Sequence, residues 1–228
     1  MSEHSTFFQL ENEIVSCRAC PRLVAWREKV GEVKRRAYRA ETYWARPVPG
    51  FGDASARVLV VGLAPGAHGS NRTGRMFTGD DSGKFLYPAL YKAGFASQPT
   101  AIKVDDGLTL NGMFITALCR CVPPDNKPAA DEISRCLPYL REEIQLLKKL
   151  QGVVALGKIA FDQVMRELHS AGGGRVNHLF GHGVFVNGDE TRPWVLGSYH
   201  PSRQNTQTGR LTPQMFDAIW QKVNWLLE

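Results

Sequence analysis

The chain of 228 residues has no long hydrophobic run. Its longest apolar stretch is the length of one strand, Val58 to Val61 with Leu63 and Ala64 beyond. A membrane-spanning helix needs roughly 20 such residues. The start, Met1-Ser-Glu-His-Ser, has no basic stretch leading into an apolar one, so no signal peptide is expected. Nucleotide fingerprints are missing too. Gly62-Leu-Ala-Pro-Gly66 is not G-x-G-x-x-G, and Gly83-Lys84 runs into Phe85 with Gly79 too close for a phosphate-binding loop. There is no H-E-x-x-H and no G-x-S-x-G, which argues against zinc-protease and serine-hydrolase chemistry. With 43% apolar and 22% charged residues the chain is not disordered, and a cytoplasmic globular protein is expected.

Cysteine is scarce. Five thiols, an odd number in a chain with no mark of secretion, argue against a disulfide framework. Their spacing is nevertheless ordered. Cys17 and Cys20 form C-x-x-C ahead of Pro21, and Cys121 and Cys136 return far along the chain. Four thiolates in two pairs can enclose a metal centre. A zinc ribbon tends to use C-x-x-C twice, so the wide second spacing leans towards iron–sulfur. Buried free thiols are the plain alternative. Charge is uneven as well. The whole chain carries 28 Lys+Arg against 22 Asp+Glu, yet the excess falls entirely between Cys17 and Arg57. A basic segment of this kind attracts polyanions, nucleic acid first, unless it is only a solvated helical face.

Periodicity predicts helix over residues 6–40, with Phe7, Leu10, Ile14, Val15, Leu23, Val24, Trp26 and Val30 inward and Ser5 as N-cap. Strands are expected at 57–62, 113–118, 152–157, 184–186 and 194–198, the last two joined by the turn-like Asn187-Gly188. Further helices are expected over about 83–93, 129–150 (offset at Pro138), 158–169 and 213–227. Residues 45–56, 63–82 and 123–128 read as loops. The alternation gives an α/β fold, a three-layer α/β/α sandwich with a mainly parallel central sheet, over one domain spanning 1–228. In such sheets working residues gather where strands end.

Two loops at those ends carry chemistry. The first runs from Gly62 through Leu63, Ala64, Pro65 and Gly66 to Asp80, with His68, Arg72, Arg75 and Phe77 within it. Small residues let a ligand reach the backbone, Phe77 can stack on a flat ring, and the arginines can meet phosphate. Asp80 is either a catalytic carboxylate or a helix N-cap, and Asp81 and Ser82 compete for both roles. The second loop, after Tyr199, holds His200, Ser202, Arg203, Gln204 and Asn205. A histidine at a strand end can donate to developing negative charge, and the polar run behind it suits phosphate.

These loops, together with Arg120-Cys-Val-Pro-Pro-Asp-Asn-Lys-Pro128 and the Cys17/Cys20 pair, resemble the iron–sulfur uracil-DNA glycosylases, and more closely their family 5 (type B) branch. The resemblance implies a monofunctional DNA glycosylase that hydrolyses the bond between a damaged base and deoxyribose and acts as a monomer on DNA. It implies a [4Fe–4S] cluster on Cys17, Cys20, Cys121 and Cys136, with Cys119 left over. Such a cluster would tie the basic helical segment, about 6–45, to the sheet. It implies base binding by Gly62–Gly66, Phe77 and Ala117, with His200 stabilising the leaving base. Many relatives place a carboxylate or amide just behind the leading glycine of the first motif. Here none stands there, and Asp80 and Asn126 are expected to handle the water. Relatives strict for uracil often carry Asn where this chain has Ala117, so a broader substrate range is expected. His68, Arg72, Arg75, Ser202, Arg203, Gln204 and Asn205 are expected at the DNA, with Arg18, Arg22 and Arg120 adding positive charge. The rival reading is an iron–sulfur nucleic-acid-binding protein without glycosylase activity, and a weaker one is an electron-transfer protein.

Overall fold

Apolar residues alternate along the strands and feed two cores, one on each face of a single sheet. The structure is a computed structural model and describes residues 6–169 and 178–228. Its principal elements in chain order are α1 (Phe7–Ser16), α2 (Pro21–Val33), β1 (Phe51–Gly52), β2 (Val58–Gly62), α3 (Ser70–Thr73), α4 (Asp81–Lys92), β3 (Met113–Ala117), α5 (Ala130–Leu146), β4 (Gly152–Leu156), α6 (Lys158–His169), β5 (Phe185–Val186), β6 (Trp194–Ser198), α7 (Arg203–Gln207) and α8 (Pro213–Leu227). The sheet order is β1-β3-β2-β4-β6-β5. The four inner strands are parallel, and the short edges β1 and β5 are antiparallel. Val58 and Val60 join Leu86, Leu90, Phe216 and Trp220 in the core beneath α4 and α8. Leu59 and Val61 join Leu137, Leu140, Phe161 and Val164 beneath α5 and α6. A sheet covered on both faces gives fully apolar strands, and all five residues of β2 are buried.

Several boundaries differ from the sequence reading. The helix expected over 6–40 is two helices. Cys17 ends α1, and Pro21 opens α2 at the position where a missing N–H costs nothing. The α1 cap is Thr6, which forms a capping box with Gln9, and Ser5 lies outside the described residues. Helix α4 starts earlier than expected because Asp80 caps it. The two chemistry-bearing loops contain the short helices α3 and α7. Among the described residues no helix is long and apolar enough to cross a membrane.

The parallel strands all point their carboxyl ends the same way, and there the chain leaves β2, β3, β4 and β6 through the polar loops. That edge carries the site.

Candidate active site

A cavity of about 500 Å³ opens at the carboxyl edge. Gly62, Leu63, Ala64 and Gly66 line it from the first loop, Ala117 from the end of β3, and Asn126 from the loop after it. Phe77, Asp80 and His200 complete it, with Ser202, Arg203 and Gln204 at α7. The two segments that carry Asp80 and His200 therefore share one hollow. Pro65, His68, Arg72, Arg75 and Asn205 are not in its lining. Ser82, which competes with Asp80 in the sequence, lines it too, and Ser70, Met76, Asp125 and Lys127 line it without having been singled out as site residues. Each lies within two residues of one that was, and proximity in the chain was the available signal.

Phe77 is held in a costly conformation. Its φ is 52°, the left-handed region that a bulky side chain avoids. Ser70 Oγ accepts its N–H at 3.0 Å, and its carbonyl lies against Gly83, where an added Cβ would come within 1.8 Å of the oxygen. The strain fixes a buried aromatic ring in the cavity wall. The His200 ring lies beside it at 5.8 Å between centroids and 30° between planes.

Asp80 is both a cap and a cavity group. Its Oδ1 accepts the Gly83 N–H at 2.9 Å, closing the first turn of α4. Its Oδ2 points at the first loop, where a Cβ on Gly69 would stand 2.0 Å from it. Burial raises its pKa above the ordinary carboxylate value, helped by Asp81 and opposed by the Gly83 and Ser82 amides and by Arg72. Burial also pushes the His200 imidazole down to about 4. His200 is therefore neutral at pH 7. Asn205 Nδ2 donates to the His200 carbonyl at 2.9 Å, so Asn205 braces this segment from within.

The cysteines form a second locality. Cys17, Cys20, Cys121 and Cys136 line one small cavity together with Arg27 and Arg120. Arg27 Nη1 lies 2.9 Å from Cys121 Sγ, and the Arg120 amide donates to Cys136 Sγ at 3.3 Å. The buried Cys119 thiol hydrogen-bonds Cys136, whose pKa falls to about 7, chiefly through that bond with Arg120 adding to it. Among the described residues no group of three or more His, Cys, Asp or Glu side chains is arranged to hold a metal ion.

A family model for the uracil DNA glycosylase superfamily matches residues 49–224. The chain belongs to the uracil-DNA glycosylase superfamily. A type-5 uracil-DNA glycosylase of Thermus thermophilus is 53% identical over 203 residues, covering 89% of this chain and 90% of that one. A type-5 enzyme of Pyrobaculum aerophilum is 46% identical over 93% of this chain and 89% of its own. A type-4 uracil-DNA glycosylase of the same organism is 35% identical over 54% of this chain. The α/β architecture with its mostly parallel sheet is that of the superfamily.

Some residues expected at the DNA of such a glycosylase are engaged inside the fold. The Arg75 guanidinium is 2% exposed and makes a two-pronged pair with Asp106 at 2.8 Å on each side. Arg72 is buried against Glu41, the His68 and Gly79 carbonyls and the Tyr38 ring. His68 Nδ1 is hydrogen-bonded to the Tyr43 hydroxyl at 3.0 Å. Arg120 is 1% exposed and paired with Glu143, so it cannot reach a phosphate. Arg18 and Arg22 differ from these: they pair with Glu28 and Glu132 at the surface, with side chains 63% and 48% exposed. Arg203 and Gln204 remain exposed at the cavity mouth.

Proposed function

We propose that this chain is a DNA repair glycosylase of the type-5 kind, which hydrolyses the N-glycosidic bond of uracil and of other deaminated or alkylated bases and leaves an abasic site. The observation that carries this reading is the single cavity shared by Asp80, Phe77 and His200. A base must leave the duplex to reach such a cavity. The extruded ring stacks on Phe77, while the backbone from Gly62 to Gly66 meets its carbonyl edge. As the bond from base to sugar breaks, its electron pair goes to the base and positive charge grows on the sugar. His200, neutral and protonated on one ring nitrogen, donates to the anionic base. Water held by the Asp80 carboxylate and Asn126 adds to the sugar carbon and yields its proton to Asp80. Ser202, Arg203 and Gln204 face the strand at the mouth. The whole chain, 1–228, acts as one domain and as a monomer.

Unpaired donors around the cysteine cavity support a [4Fe–4S] cluster there. Arg27 Nε and Arg120 Nε and Nη1 are buried with no hydrogen-bond partner. Buried guanidinium donors left unpaired are costly, and sulfur acceptors beside the thiolates would satisfy them. A cuboidal cluster also separates its thiolates more widely than one zinc ion does with bonds of about 2.3 Å. Cys17, Cys20, Cys121 and Cys136 would hold it as a staple between the N-terminal helices and the sheet. It supplies no step of base release.

The basic test is incubation with a uracil-containing oligonucleotide followed by alkali. Strand breakage by wild type that is much weaker in His200→Ala supports the reading. Binding without base release would favour the non-catalytic alternative. The pH profile is a second test. Asp80 must be ionised and His200 neutral, so both requirements fail only on the acid side. We expect one ascending limb, above the ordinary aspartate value of 3.8, set by Asp80 and unchanged in His200→Gln. A limb near the ordinary histidine value of 6.5 that vanishes in His200→Gln would contradict this.

Substrate range is decided at Ala117, which is buried in the cavity wall with no polar group. A site without an edge-reading amide rejects analogues weakly. Ala117→Asn is expected to raise the preference for uracil over hypoxanthine and etheno-cytosine by at least about 10-fold. An unchanged preference, with no wild-type activity on those bases, would remove the argument.

A further inference from the structure

The loop that brings Asn126 into the cavity has an unusual backbone. Asp125 and Asn126 are consecutive left-handed residues, with φ of 53° and 57°. Asn and Asp tolerate this region better than other side chains, but two in a row need outside support. Local bonds are few. The Asn126 and Lys127 amides donate to the Pro123 and Pro124 carbonyls at 3.3 and 3.0 Å. The remaining support comes from the other end of the sequence. Arg22 Nη2 donates to the Lys127 carbonyl at 3.2 Å. The same guanidinium grips Glu132 through Nε at 2.8 Å and Nη2 at 2.7 Å. Glu132 is almost wholly buried, and its Oε2 also accepts the Ala129 amide at 2.7 Å, fixing the start of α5. Arg22 sits in the first turn of α2, directly behind Cys20 and Pro21.

We propose that Arg22 is a positioning residue for base excision: it clamps the 125–127 loop so that Asn126 stays in register with Asp80 across the cavity. The inference rests on the proposed role of Asn126. It also gives the cysteine region a bearing on the site without any chemistry of its own, because the Arg22–Glu132 pair joins the first turn of α2, just behind Cys20, to the first turn of α5. A forked guanidinium is suited to this task, since it bonds a carboxylate and a carbonyl from one rigid plane. Arg22 does not line the cavity and its charge is already neutralised by Glu132, so its loss should misplace a group and leave DNA binding close to wild type.

The test is a double-mutant cycle on uracil excision with the full chain, read as kcat and KM with the visible absorbance of each protein recorded. Arg22→Ala is expected to lower kcat about 10–100-fold, the cost of a catalytic group displaced by about an ångström, with KM within about twofold and the absorbance unchanged. Asn126→Ala is expected to lower kcat by a similar factor, and the double variant to be no worse than Asn126→Ala alone. Three results would overturn the inference while leaving the role of Asn126 standing. These are a wild-type kcat in Arg22→Ala beside an impaired Asn126→Ala, losses that multiply in the double variant, and loss of the visible absorbance in Arg22→Ala. Full activity in Asn126→Ala would instead overturn the role of Asn126, and the inference with it.

Discussion

Asp80→Asn should slow uracil excision about 10²–10⁴-fold, the usual worth of a positioned general base, without lowering thermal stability. The two halves of this expectation separate the two roles of the residue. An amide caps a helix as well as a carboxylate does, so the bond to the Gly83 amide survives and α4 keeps its start. What disappears is the buried negative charge. Burial raises the folded-state pKa of Asp80, so its contribution to stability is fully present below the unfolded value and is lost as pH rises through the folded value. At neutral pH the wild type therefore carries a penalty that the amide does not. Single-turnover excision with melting curves at two pH values checks this. Melting at or above wild type near pH 7, with the difference shrinking as pH falls, is the expected result. A fall of several degrees matching the loss of activity would mean that Asp80 is only a cap.

The second large effect lies at the cysteines. Cys121→Ala should abolish the visible colour and lower the melting temperature by roughly 6–12 °C. The figure follows from the buried donors. Arg27 loses its Cys121 partner, and three guanidinium nitrogens that the cluster would satisfy stay unpaired. At about 1–3 kcal/mol for each unmet buried donor, the loss is at least about 3 kcal/mol. A chain of this size shifts by roughly 2–4 °C for each kcal/mol. Absorbance and calorimetry on the purified variant read both quantities. A colourless wild type, or a variant that melts with it, would return these residues to the class of buried free thiols.

The parts of this molecule that could be read from sequence are those set by local pattern. Val58–Gly62, Met113–Ala117, Gly152–Leu156 and Trp194–Ser198 are short apolar runs bounded by turn residues, and each is an inner strand. The cavity was legible because it lies where those strands end, and the residues just beyond β2 and β6 are polar in an otherwise apolar context. What escaped depends on partners distant in the chain. Arg75 and Arg72 look like phosphate ligands until Asp106 and Glu41 are folded beside them. Edge β1 is two residues inside a Pro/Gly-rich stretch, too short to carry an alternation. The break between α1 and α2 falls at the C-x-x-C, where apolar spacing continues on both sides and only Pro21 marks the new start. Asp80 seemed to demand a choice between cap and catalyst. The fold does not force that choice: Oδ1 caps α4 while Oδ2 faces the first loop, so the cap leaves one oxygen for the proposed role.

The central claim is that a nucleobase drawn out of DNA is released inside the hollow between Phe77, Asp80 and His200. A crystal structure of the protein with a duplex bearing a non-hydrolysable deoxyuridine analogue tests it most directly. The account predicts the uracil ring stacked on Phe77, its carbonyl edge on the Gly62–Gly66 backbone and His200 within hydrogen-bonding reach. A uracil still paired in the helix, or seated away from His200 and Asp80, would contradict it.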